Sequence, residues 1–227
     1  MFEPDSFLYA VSYAIVPLIF AVTVHEVAHG WTAKQFGDLT AAQAGRLTLN
    51  PISHIDPFGT IILPLILFLT TPFVFGSAKP VPVDMRQLRN PKTDMAIVAL
   101  AGPAVNIMMA TGWALFATLQ GWVVAQADLG SQWFYDMAIF GIRINLLLAI
   151  FNMLPIPPLD GGRVLRGVLP EAGARIIDRI EPFGFFIVIG LIVLEYMQVL
   201  QFLSGFISPP MDFFLDIYAA LIRFGTS

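Results

Sequence analysis

Cysteine is absent from this chain of 227 residues, and charged residues are scarce. The absence of cysteine excludes disulfide bonds, thiol catalysis and cysteine-ligated metals. Charged residues make up only 12% of the chain, whereas soluble domains carry about 25%. The net charge of −4 and the lack of a basic stretch argue against a nucleic-acid partner.

Apolar residues take the place of the missing charges. They make up 57% of the chain, and the mean hydropathy is +0.76. Because a transmembrane helix needs about 20 apolar residues, the long apolar runs predict an all-α polytopic membrane protein with five to six transmembrane helices. The predicted helices cover residues 7–36, 93–119, 133–154 and 182–203, and a short apolar stretch at 211–224 is either a tilted span or an interfacial helix.

The whole chain, residues 1–227, is expected to form a single integral-membrane domain. Its core is predicted at roughly residues 7–170, followed by C-terminal helices at 182–224. Lysine and arginine predict its orientation. They occur in the segments 79–92 and 163–179, whereas the loop at 121–132 has neither. By the positive-inside rule both basic segments face the cytoplasm.

The first predicted helix contains the sequence His25-Glu26-x-x-His29 near its end. Residues four apart lie on one face of a helix, so both imidazoles can bind one metal ion. The glutamate can then act as a general base toward a water molecule at that metal. Residues 7–24 carry no charge, so a carboxylate and two imidazoles here are costly and become functional candidates. The alternative is a polar helix end packed in the bundle.

A third ligand is needed, because a catalytic zinc usually takes three from the protein. The only other histidine is His54, in a predicted loop, which makes a carboxylate the better candidate. Asp160 stands out because prolines at 155–158 stop the preceding helix, and two glycines that follow allow a tight turn. This pattern predicts a carboxylate at membrane depth on non-helical backbone. A plain Asp-Gly turn is the alternative.

Two motifs together carry a family resemblance, and they are His25-Glu26-x-x-His29 and Asn152-x-x-Pro155-x-Pro157-x-x-Asp160-Gly161. The pair resembles the site-2 protease family of intramembrane zinc metalloproteases. Further blocks similar to the compact bacterial branch lie at residues 45–51, 54–56, 79–83 and 101–106. The resemblance covers roughly residues 20–170, and the PDZ-like insert of other branches is missing between the motifs.

The resemblance implies one Zn²⁺ ion bound by His25, His29 and Asp160, with Glu26 as the general base. It implies a metalloendopeptidase that hydrolyses peptide bonds in or near transmembrane segments, with a transmembrane protein and the lipid bilayer as partners. The expected location is the bacterial inner membrane, with the active site toward the cytoplasm. A polytopic transporter or metal-handling protein that uses the histidines for passage is the alternative, although transport does not require Glu26.

Three further polar residues are candidates for supporting roles. Asn152 could hydrogen-bond an extended substrate or the broken helix end. His54 could approach the zinc, stabilise an oxyanion or serve the loop. Asn106 lies in an apolar helix, where it could act near the site or join two helices by a hydrogen bond. A strand-like element at residues 47–49 could pair with a substrate backbone.

The predicted orientation constrains residues 58–75. The chain is expected near the cytoplasm both at residue 34 and at residue 79, so an even number of crossings must separate them. Only one apolar segment lies between these positions. It is therefore predicted to be re-entrant, since irregular backbone is tolerated at membrane depth when it is buried in protein. One ordinary span is the alternative.

Overall fold

Helices form nearly all the regular structure, as the apolar runs predict. The computed structural model describes residues 4–62, 79–127 and 132–226. The helices are α1 (Pro4–Gln35), α2 (Thr40–Gln43), α3 (Pro91–Ala127), α4 (Gln132–Asn152), α5 (Asp160–Val168), α6 (Glu171–Ile180), α7 (Gly184–Tyr196) and α8 (Phe202–Thr226). Short turns of 3₁₀ helix cover Pro51–His54, Met85–Gln87 and Glu181–Phe183, and a π-helical turn covers Pro57–Ile62. The described residues contain no β-strand, so the all-α class is confirmed and residues 47–49 have no regular structure.

Within the described part of the chain, four helices are long and apolar enough to cross a membrane, and they contain Leu8–Gln35, Pro91–Val123, Gln132–Asn152 and Phe202–Gly225. The span predicted at 182–203 is interrupted. Its helical part, α7, has 13 residues, or about 20 Å, which is short of the ~30 Å hydrocarbon layer. The stretch at 211–224 instead belongs to the 25-residue helix α8.

Helix α3 lies at the centre of the bundle and contacts α1, α4, α5 and α8. Small side chains allow this close packing. Ala110 and Ala114 of α3 are fully buried against Ile142 and Leu146 of α4 and Tyr218 of α8. Large apolar side chains on the outer faces, such as Phe20 of α1, are exposed, as expected for a surface that faces lipid.

Polar contacts show the direction of the helices. Near the start of α1 the Tyr9 hydroxyl donates to Asp136, close to the start of α4 (2.9 Å). The Trp133 indole of α4 donates to Ser12 of α1 (2.8 Å). Helices α1 and α4 therefore run parallel to each other. Helix α3 begins beside the end of α1 and ends just before the start of α4, so it runs antiparallel to both.

Helix α1 ends in a Schellman motif. Gly37 adopts a φ of +107°, its N–H donates to the Lys34 carbonyl, and the N–H of Asp38 donates to the Ala33 carbonyl. This pattern satisfies two carbonyls that a helix end would otherwise leave free. The left-handed φ is the reason for a glycine at this position.

Asp38 joins the end of α1 to the segment before α3. Its carboxylate is fully buried and accepts hydrogen bonds from the backbone N–H groups of Thr40 (2.8 Å) and Asp84 (2.7 Å). The N–H of Arg89 also donates to the Phe36 carbonyl. Residues on either side of the predicted re-entrant segment therefore lie together. Most of the predicted re-entrant segment at residues 58–75, namely residues 63–75, lies outside the described residues.

Candidate metal centre

Three buried side chains from two distant parts of the sequence meet between α1, α3 and α5. The Nε2 atoms of His25 and His29 lie 3.0 Å apart. The Oδ2 atom of Asp160 lies 3.2 Å from the first and 3.3 Å from the second. Each residue is at most 6% exposed. The three side chains can thus present three ligand atoms to one metal ion.

The geometry fits a zinc ion. Bonds of about 2.0–2.1 Å in a tetrahedral arrangement place neighbouring ligand atoms about 3.3 Å apart, close to the observed spacing. Asp160 Oδ2 is buried and has no hydrogen-bond partner among the described residues. Such a buried acceptor is costly unless a partner satisfies it. A cation between the two imidazoles and the carboxylate would satisfy all three groups.

Hydrogen bonds behind the imidazoles set their tautomers. His25 Nδ1 donates to Asn106 Oδ1 (2.5 Å), and His29 Nδ1 donates to the Val98 carbonyl (2.7 Å). Both acceptors belong to α3. Because Nδ1 carries the proton in each ring, Nε2 presents its lone pair toward the partner ring and Asp160. Outer contacts of this kind orient metal ligands and raise their basicity.

The orientation of Asn106 is itself fixed by two further contacts. Its Nδ2 donates to the Ala21 carbonyl of α1 (3.2 Å) and to Asn145 Oδ1 of α4 (2.8 Å). Asn145 in turn donates to the Gly141 carbonyl (2.8 Å). Both asparagines are completely buried. A polar chain therefore links α1, α3 and α4 and leaves Oδ1 of Asn106 as the acceptor that faces His25.

Gly102 of α3 provides the space that the imidazoles occupy. A Cβ atom there would lie 2.5 Å from His25 Cε1 and 2.5 Å from His29 Nε2. Both distances are far below van der Waals contact, so no other residue fits without moving a ring. In the sequence, Gly102 is only part of the block at residues 101–106. The sequence did not show that this glycine faces the histidines.

Asp160 is the first residue of α5, which corrects the expectation of non-helical backbone. The two glycines after it are helical rather than turn-forming. A Cβ on Gly161 would lie 2.3 Å from the Met153 carbonyl oxygen, and one on Gly162 would lie 2.5 Å from Pro157 N. The glycines therefore let the start of α5 lie directly against the proline-rich segment, which fixes the position of the carboxylate.

Glu26 lines a cavity of about 110 Å³ in front of the three ligand atoms. The lining residues are His25, Glu26, His29, Pro80, Val81, Asn152, Pro158, Asp160 and Arg163. One carboxylate oxygen of Glu26 accepts a hydrogen bond from the backbone N–H of Val81 (2.7 Å). Val81 lies between two prolines, which have no N–H, so it is the single backbone donor at positions 80–82. This contact was not predicted from the sequence.

The three supporting candidates are placed differently. Asn152 lines the cavity, and its Nδ2 donates to the Leu148 carbonyl one turn earlier (2.9 Å). Asn106 lies behind His25 and outside the cavity lining. His54 is 3% exposed, does not line the cavity, and donates from Nε2 to the Thr48 carbonyl (2.9 Å). The structure thus brings Asn152 and Asn106 to the centre and gives His54 a contact within its own loop.

Comparison with known proteins places this chain in a family. The model of peptidase family M50 matches residues 118–194. The Bacillus subtilis protein YwhC, named as a candidate zinc metalloprotease, is 38% identical over 83% of this chain and 85% of its own length. Rip2 of Mycolicibacterium smegmatis, named in the same way, is 30% identical over 84% of this chain and 70% of its own length. No solved structure matches the chain.

Proposed function

Because the chain belongs to peptidase family M50, we propose that this zinc metalloprotease cleaves peptide bonds in or near the transmembrane segments of membrane proteins. The position of the metal centre carries the proposal. His25 and His29 belong to the candidate span Leu8–Gln35. His29 lies six residues before the end of α1, about 9 Å along the helix axis. A peptide bond must therefore reach a site among apolar helices.

The proposed roles follow from the atoms that face the cavity. His25, His29 and Asp160 would hold the ion, which when bound polarises a carbonyl group and makes water more acidic. Glu26 takes a proton from the attacking water as the water oxygen adds to the carbonyl carbon. The same carboxyl group then gives that proton to the leaving nitrogen as the C–N bond breaks. The OH of the water thus becomes part of the new carboxyl end, and its other hydrogen becomes part of the new amino end.

The substrate must enter the site as extended chain. In a transmembrane helix the carbonyl groups are engaged in hydrogen bonds with the following turn. A scissile carbonyl becomes accessible only where that helix unwinds. Asn152 lines the cavity, and the carbonyl oxygen of its side chain is a suitable acceptor for a substrate N–H. We assign it this role in addition to its contact with its own helix.

The orientation proposed from the basic segments agrees with the helix directions. The end of α1, the start of α3 and the end of α4 share one side, and the segments 79–92 and 163–179 adjoin these ends. We place this side in the cytoplasm of a bacterial cell, with the protein in the inner membrane as one domain. The transporter alternative is not favoured, because the relatives are named as metalloproteases.

A synthetic peptide in liposomes tests the proposal. The membrane peptide has about 20 apolar residues with a Gly-Pro break, and a soluble peptide carries the same break between polar flanks. Purified protein in the same liposomes should cut the membrane peptide near the break, as located by mass spectrometry. Glu26→Gln should abolish cleavage and keep zinc, whereas Glu181→Gln, at an exposed glutamate, should stay active. Exclusive cleavage of the soluble peptide, or activity in Glu26→Gln, would contradict the proposal.

A further inference from the structure

Arg163 is a charged side chain at the metal centre that neither sequence motif assigns. It lines the same cavity as Glu26 and Asp160. It lies three residues after Asp160 in α5, so both side chains are on one face of the helix. It is half-buried, and its guanidinium makes no hydrogen bond or ion pair within residues 4–62, 79–127 and 132–226.

The next arginine of the same helix behaves differently. Arg166 forms an ion pair with Asp178 of α6, with Nε 2.5 Å from Oδ1 and Nη2 3.1 Å from Oδ2. That pair joins α5 to α6 and does not line the cavity. Arg163 and Arg166 therefore share a helix and a charge, but only Arg163 lines the cavity. An uncommitted guanidinium beside a metal centre is a ready donor for an anionic oxygen.

The chemistry of hydrolysis requires such a donor. When water adds to a peptide carbonyl, negative charge develops on the carbonyl oxygen, and donors aimed at that oxygen lower the barrier. His54 was one candidate, but its Nε2 is engaged with Thr48 and it lies outside the cavity lining. The Val81 N–H is engaged with Glu26. Among the described residues that line the cavity, Arg163 alone has a permanent positive charge.

We propose that Arg163 donates a hydrogen bond to the carbonyl oxygen of the scissile peptide bond and stabilises the charge that develops there. This role rests on the proposed peptidase function. The carboxylates of Asp160 and Glu26 balance the charge of a divalent ion, so the arginine supplies the remaining positive charge. As the C–N bond breaks, the carbonyl re-forms, and Arg163 keeps its protons throughout.

The backbone fixes the position of Arg163 relative to the metal ligands. Because Gly161 and Gly162 seat the start of α5 against the proline-rich segment, the Cα of Arg163 is fixed relative to Asp160. A lysine at this position would keep the charge but lose the planar fork of donors. The arginine-to-lysine change therefore separates charge from hydrogen-bond geometry.

The test uses the membrane peptide in liposomes described above. Arg163→Gln should lower kcat by on the order of 10²–10³-fold, leave KM within about threefold, and leave the zinc content per protein unchanged. Arg163→Lys should recover part of the rate. Arg166→Gln is the matched control and should stay within about twofold of the wild type, because exposed ion pairs contribute little.

Two further readouts distinguish a direct role from a structural one. Free guanidinium should restore part of the activity of Arg163→Ala, which a misfolded protein would not allow. A phosphinate analogue of the membrane peptide carries a tetrahedral anionic centre. Its affinity for Arg163→Gln should be lower than its affinity for the wild type by about the same factor as kcat. The cleavage products should bind both proteins equally.

The outcomes separate the two proposals. Failure of the wild-type protein to cut the membrane peptide would count against the peptidase function in membranes. Cleavage by the wild type, with Arg163→Gln and Arg166→Gln equally active, would overturn only the role of Arg163. A rise in KM without a fall in kcat, or equal phosphinate affinity in both proteins, would overturn it as well.

Discussion

A single methyl group on α3 should weaken zinc binding. In Gly102→Ala the new Cβ would lie 2.5 Å from both His25 Cε1 and His29 Nε2, whereas ordinary contact begins near 3.4 Å. One side of this contact must therefore move by about 0.9 Å, and metal sites tolerate errors of only about 0.2 Å in ligand distances. The substitution should disturb both imidazoles at once.

The bundle offers no easy relief for this clash. If α3 moved away from α1, the bonds from the imidazoles to Val98 and Asn106, now 2.7 and 2.5 Å long, would stretch beyond hydrogen-bond length. Loss of such outer contacts lowers metal affinity about 10–100-fold, which corresponds to about 1.4–2.8 kcal/mol. We expect a loss of at least this size whichever element moves.

Competition with a chelator of known affinity measures the effect, with zinc counted by elemental analysis. Gly112→Ala is the matched control, because it lies in the same helix and its Cβ would have no neighbour within 4 Å. The control should bind zinc like the wild type. Wild-type affinity in Gly102→Ala would refute the reasoning, because the imidazoles would then not occupy the space beside this glycine.

Three further substitutions test contacts around the site. Asn106→Leu removes the acceptor of His25 Nδ1, and zinc affinity in the chelator assay should fall about 10–100-fold. Val81→Pro deletes the N–H that contacts Glu26, so peptide cleavage should slow at unchanged zinc content, whereas Val81→Ala keeps the N–H and should stay active. Gly161→Ala places a methyl group 2.3 Å from a backbone oxygen, so thermal unfolding should occur at a lower temperature with zinc present. Normal stability in that variant would show that the backbone can yield there.

The sequence predicted the helices and the motif on α1 because both depend on local patterns. A run of apolar residues indicates a span wherever it occurs, and His25 and His29 share a face because of helix geometry alone. The interruption at residues 197–201 was not predicted. It follows a helix of 13 residues and precedes one with Pro209 and Pro210 inside it. Both flanks are apolar, so hydropathy could not separate them.

The contacts that complete the site depend on how distant segments pack, and no local pattern encodes them. The Val81 N–H reaches Glu26 across 55 positions of sequence. The available signal was the alternation of prolines around Val81, which leaves one donor in an extended segment. In the sequence, Arg163 is only one charge of a basic segment, because its place in the cavity depends on how the start of α5 packs.

The antiparallel packing of α1 and α3 explains why one face of α3 can serve both histidines. Val98, Gly102 and Asn106 are spaced four apart, so they form one line along that helix. Because the helices run in opposite directions, the later histidine meets Val98, the earlier one meets Asn106, and Gly102 lies between them. A shift of α3 by one turn would move Gly102 and both hydrogen-bond acceptors away from the imidazoles. The buried pair Asn106 and Asn145 opposes such a shift, since sliding would leave their amides unpaired in an apolar bundle at considerable cost. The polar chain that sets the tautomer of His25 thus also sets the register of the helices that form the metal centre.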